Sequence, residues 1–168
     1  MGADIHLFLE RKMKSGNWAC VSNLDSIVHL NGLEGIQPSS SINYGYYKLN
    51  ARNYQFFGRI ASVRGEGRDP QGLPLDASDI VEEECHGWGH DGHSHSWLSA
   101  SDFVDDYYGI RGLDHDDDAP MSEYHQRVLT DGKNEAVLEF LRTMCNPMVI
   151  NLEQDMADDY RFVFWFDN

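Results

Sequence analysis

Both ends of the chain alternate with a period of two, which is the signature of a β-strand whose successive side chains point to opposite faces. Between Ala3 and Glu10, residues Ile5, Leu7 and Leu9 fall on one face, and Asp4, His6, Phe8 and Glu10 on the other. Between Tyr160 and Phe166, residues Phe162, Phe164 and Phe166 oppose Val163 and Trp165. This last segment is strongly aromatic and is the natural partner of the first in a sheet. Lys14-Ser15-Gly16-Asn17 supplies a turn, and Trp18 to Val21 reads as the return strand of a hairpin.

The stretch between these strands is helical and loop-rich. Residues 23–49, rich in Ser, Asn, Gly and Tyr, read as loops with at most a short helix or strand. Asn50 or Asn53 caps a helix running to about Arg64, in which Tyr54, Phe57, Ile60 and Ala61 recur on one face. A short acidic helix is expected over Ser78 to Glu84. Another follows Ser99-Ala100-Ser101-Asp102 and carries Phe103, Tyr107 and Tyr108. Pro120 to Leu129 forms a helix, and Asn134 caps a last one to about Cys145, before Pro147. At 168 residues and 41% hydrophobic, the chain suits one compact domain with its own core. The expected class is α+β. It is a single domain over residues 1–168, whose small, mostly antiparallel sheet contains both terminal strands and packs with several helices and long loops.

The formal net charge of −15 repels phosphates and anionic membranes, so direct nucleic-acid or membrane binding is disfavoured. It favours cations and basic protein surfaces, including the Lys/Arg-lined channels in which nucleic-acid enzymes hold their substrates. Asp114, Asp116, Asp117 and Asp118, with Asp102, Asp105 and Asp106 nearby, are the expected contact face for a basic protein. The tract lacks the Gly and terminal Glu of an EF-hand loop, so calcium is poorly supported. No apolar run approaches the ~20 residues that cross a bilayer, and no signal peptide is visible, so the cytoplasm is the expected compartment. Cys20, Cys85 and Cys145 are odd in number and widely spaced, which suits free thiols or one metal thiolate better than disulfides.

Four of the eight histidines fall within the eleven residues Cys85-His86-Gly87-Trp88-Gly89-His90-Asp91-Gly92-His93-Ser94-His95. Neutral imidazole is the side chain most often used to hold a transition metal, and the spacing points to zinc. His93 and His95, if extended, point the same way, and His90 folds back through Gly92. Cys85 and His86 are weaker candidates that would close a four-ligand site. On the first strand, Asp4 and His6 emerge side by side, so the expected metal set is Asp4, His6, His90, His93 and His95. No phosphate loop, nucleophile elbow or His-Glu-x-x-His motif accompanies them.

The whole chain resembles a family of small acidic phage-encoded proteins. The resemblance rests on Gly2-Ala3-Asp4-Ile5-His6, Arg52-Asn53-Tyr54-Gln55-Phe56-Phe57 through Val63-Arg64, Gly72-Leu73-Pro74, Asp91 to Leu98, and the ending Val163-Phe164-Trp165-Phe166-Asp167-Asn168. By analogy it implies an anti-defence protein. The nearest functional analogue is a zinc-containing anti-CRISPR inhibitor, which binds a basic surface of a type II RNA-guided nuclease and blocks DNA loading or activation. On that expectation the chain acts by binding and its zinc is structural. The alternative is a metal-dependent hydrolase acting on nucleotides or a phosphoester.

Overall fold

The structure, a computed structural model, describes residues 2–24, 53–109, 123–145 and 148–168. Strand β1 (Asp4–Lys12) turns at Gly16 into β2 (Trp18–Asn23). Helix α1 (Tyr54–Ala61) and helix α2 (Asp79–Trp88) follow, and a 3-10 turn (Gly89–Asp91) leads from α2 into β3 (His93–Ser99). Helices α3 (Ala100–Tyr108), α4 (Glu123–Asp131) and α5 (Lys133–Met144) then precede a second 3-10 turn (Ala157–Asp159) and β4 (Tyr160–Asp167). The sheet order is β2-β1-β4-β3, with every neighbouring pair antiparallel. The two terminal strands are therefore its central pair, in an α+β domain of the expected kind.

Both faces of that central pair are buried, as their composition requires. One face presents Ile5, Leu7, Leu9, Phe162, Phe164 and Phe166 to α1, α3 and α5, whose Phe56, Phe57, Phe103, Val137 and Leu141 complete the main core. The other face carries Phe8, Val163 and Trp165 under Val81 of α2, with Cys20, Cys85, Trp88 and Trp97 packed at the margin. Glu10 and Arg161 are buried on this second face too, since both sit in phase with Phe8 and Val163.

Local signals set the helix starts. Asn53 Oδ1 accepts from the Phe56 amide at 3.1 Å and caps α1, and Ser99 Oγ accepts from the Asp102 amide at 3.1 Å and caps α3. Helix α1 stops at Ala61 rather than Arg64, because Ser62 turns left-handed (φ 55°). Gly58 lies inside α1 because the chain folds back on it. A Cβ there would stand 2.9 Å from Gly65 Cα. Asn134 does not cap α5, which starts one residue earlier. Its Oδ1 accepts instead from the Ala157 amide at 2.8 Å, tying α5 to the turn before β4. The expected helix starting at Pro120 is found over Glu123–Asp131. The loops expected over residues 25–49 and the expected helical residues 120–122 lie outside the described residues.

Candidate functional site

The histidine-rich segment is not a loop. Cys85 and His86 form the last turn of α2, His90 sits in the 3-10 turn, and His93 and His95 belong to β3. Helix α2 runs four residues past the expected Glu84, to Trp88, because Cys85 and Trp88 extend its inner stripe onto the second apolar face. His86, His90 and Asp91 are exposed, whereas Cys85 is half-buried and burial pushes its thiol pKa up. Cys85 thus packs toward the sheet, while His86 and His90 face water.

A β-bulge separates the other two. His93 pairs with Phe166 and Ser96 with Phe164, so β3 spends three steps where β4 takes two. Ser94 absorbs the extra residue at φ 54°. The His93 ring consequently lies 6.3 Å from that of Phe166, and the His95 ring 5.8 Å from that of Trp165. Phe166 and Trp165 are consecutive on β4 and face opposite ways. The expectation that His93 and His95 point together is corrected by this extra residue. His93 Nδ1 stands 3.0 Å from Ser94 Oγ, and its Nε2 is buried without a hydrogen-bond partner. Burial, and secondarily the neighbouring His93, lower the pKa of His95.

On β1, Asp4 and His6 do share a face. His6 is only 8% exposed. Its ring lies against Trp88 at 3.9 Å, tilted 38°, and over Trp165 at 6.1 Å. Its Nε2 stands 3.6 Å from Asp167 Oδ2. Asp167 is the register partner of Asp4, and Trp165 that of His6. The β4 strand stands between β1 and β3, so roughly 10 Å of sheet separates the β1 and β3 backbones. The structure thus does not bring the expected five residues to one point. Among the described residues, no three His, Cys, Asp or Glu side chains meet at ligand distance.

The acidic contact face is also revised. Asp106 is wholly buried and accepts from Arg68 Nε at 2.7 Å, so it holds the loop after α1 against α3 and presents nothing to a partner. Asp105 Oδ1 is engaged by the Tyr124 hydroxyl at 3.0 Å and by Lys133 Nζ, which ties α3 to α4 and α5. Asp102 remains exposed, 3.9 Å from Arg68 Nη2. Asp114, Asp116, Asp117 and Asp118 lie outside the described residues.

Two features escaped the sequence. The first is Asp167, whose position opposite Asp4 exists only once the strands are in register. The second is the outer face of α2, where Asp79, Ile80, Glu83 and Glu84 are exposed just after a fully exposed Leu75. The acidic run was visible, but not which of its residues face water. On the helical side of the sheet, a cleft of about 260 Å³ between α3, α4 and α5 is lined by Tyr108, Tyr124, Arg127, Glu139 and Phe140, without His or Cys. No helix among the described residues is long and apolar enough to cross a membrane. Comparison of the chain with protein-family models, with curated proteins and with solved structures gives no match in any of the three.

Proposed function

We propose that the protein acts by binding a basic protein surface, through the outer face of α2 and the turn that enters it. The observation that carries this is Leu75. Its side chain is entirely in water, at 103% relative exposure, with half-exposed Ile80 following and exposed Asp79, Glu83 and Glu84 beside them in sequence. Apolar anchors within a charged rim are the anatomy of a docking patch, in which the anchors supply affinity and the rim supplies steering and specificity. The net charge of −15 adds long-range attraction toward a Lys/Arg-lined groove. A groove of that chemistry is where a nucleic-acid enzyme holds its substrate. The sequence resemblance makes a type II RNA-guided nuclease the first partner to test, and occlusion of DNA loading or activation the first effect.

The test is a binding measurement against the purified nuclease across a salt series, with wild type, a Leu75→Ala/Ile80→Ser variant and a Glu83→Lys/Glu84→Lys variant. Affinity should fall steeply with salt, because steering between exposed charges is screened beyond about 8–10 Å. Each variant should weaken binding by about tenfold, or ~1.4 kcal/mol. No binding by wild type dismisses this partner, and salt-independent binding overturns the electrostatic mechanism.

A further inference from the structure

We propose that two copies of this chain associate through a two-fold contact, in which the β1–β2 hairpin tip of each copy seats on the outer α2 face of the other. The contact depends on that face being a docking patch for basic surfaces, and the chain carries one such surface itself. Arg11, Lys12 and Lys14 place three of its 13 Lys and Arg residues at the hairpin tip. Arg11 is held by Asp155 at 2.8 Å, whereas Lys12 and Lys14 are exposed and make no ion pair among the described residues. Met13 between them is 47% exposed, so the tip presents an apolar side chain flanked by two cations. It is the complement, in charge and in apolar content, of Leu75 and Ile80 beside Asp79, Glu83 and Glu84. Those three carboxylates also make no ion pair among the described residues, so one chain does not close the two patches on each other.

The placement of the patches makes the contact reciprocal. Glu10 Oε2 accepts from the Ser78 amide at 2.7 Å, so α2 begins beside the end of β1 that leads into the tip. Helix α2 then runs back along the sheet to Trp88, which lies on His6. From the Ser78–Glu10 contact the tip thus extends one way and α2 the other. A two-fold axis at this end of the sheet directs each tip toward the α2 of the second copy, and every contact is made twice. Each copy carries a net charge of −15, so at long range the copies repel. That repulsion reaches about 30 Å at ~0.01 M salt but only about 8 Å at ~0.15 M, whereas charges in direct contact are screened much less. Dimerisation should therefore be weaker at low salt than at physiological salt, opposite to the dependence expected for a basic partner.

Sedimentation equilibrium of the purified chain over a concentration series tests this. Wild type should follow a monomer–dimer equilibrium that tightens from low to physiological salt. Lys12→Glu/Lys14→Glu and Glu83→Lys/Glu84→Lys should each weaken it at least tenfold, since like charges then meet. Mixed in equal amounts, the two variants should form a heterodimer, because one contact then pairs the two reversed patches and the other the two native ones. Leu75→Ser should weaken association without any change of charge. Near-ultraviolet circular dichroism checks folding, and if a charge-reversed variant does not fold, Leu75→Ser and the salt series decide. Wild type that is monomeric at every concentration overturns the dimer. So does a dimer that both charge-reversed variants retain, or a mixture of the two folded variants that stays monomeric. Monomeric wild type that binds the nuclease overturns the dimer alone, and a dimer that ignores the nuclease overturns that partner alone.

Discussion

Arg161 Nε donates to Glu10 Oε1 at 2.7 Å across the central strand pair, with the two residues 3% and 0% exposed. Glu10 Oε2 accepts in turn from the Ser78 amide at 2.7 Å, at the entrance to α2. The guanidinium also donates to Asp76 Oδ1 at 2.8 Å and lies 4.0 Å from the Trp18 ring centroid. Two charges out of water are tolerable only when each satisfies the other. Arg161→Ala should cost about 3–5 kcal/mol in urea denaturation, since it leaves the Glu10 carboxylate buried without a countercharge, and Glu10→Ala should cost less, since Asp76 still pairs with Arg161. The double replacement Glu10→Leu/Arg161→Met should cost less than either. A double variant as damaged as the sum of the singles would show that the pair is not a coupled unit.

Phe103 stacks on Phe162 at 4.0 Å and meets Phe56 edge-on at 5.2 Å, joining α3, β4 and α1 in the main core. Phe103→Ala should destabilise by about 3–5 kcal/mol through lost burial and the cavity left behind. Phe103→Leu, which keeps most of the volume, should lose about half as much or less, by equilibrium denaturation. Equal losses would mean that ring geometry, not volume, governs this contact.

Stability should decline as the medium is acidified through the histidine range, and His95 is one named cause. Burial, then His93, hold its pKa below the ordinary 6.5. The unfolded chain therefore takes up the proton first as pH falls. Its contribution to stability is whole above about pH 6.5 and is lost as pH drops through the folded-state value. Urea midpoints on either side of that pH should differ in wild type and converge in His95→Gln. An unchanged difference in that variant would assign the effect elsewhere.

The thiols should be sluggish. Burial, chiefly, and the nearby Glu10 push Cys20 up to about 11, and complete burial raises Cys145 further. Maleimide labelling at neutral pH, read by mass spectrometry, should be slow at Cys20 and absent at Cys145 until the chain is unfolded. Labelling of Cys145 in the native protein at the rate of a free thiol would contradict the packing of α5 on the sheet.

The terminal strands were legible because alternation survives when both faces are apolar, and the caps were legible to within a few residues, as Asn50 or Asn53 and as Ser99 to Asp102, because their chemistry is local. The β3 strand was not legible. His93-Ser94-His95-Ser96 has no apolar alternation, and the bulge at Ser94 breaks the phase that would have linked it to Trp97 and Leu98. Asp106 lies three residues after Phe103, the spacing of one helix face, yet its burial depends on Arg68, 38 residues away. The pairing of Asp4 with Asp167 is likewise a property of register, which no single segment carries.

Placing the first and last strands side by side at the middle of the sheet has a kinetic consequence. Glu10 and Arg161 are 151 positions apart, so the contact that unites the sheet closes a very long loop. The β1–β2 hairpin keeps an unpaired edge until β4 joins it. Folding of this domain should therefore be slow for its size, and the waiting hairpin is where the folding chain is most exposed to misassociation.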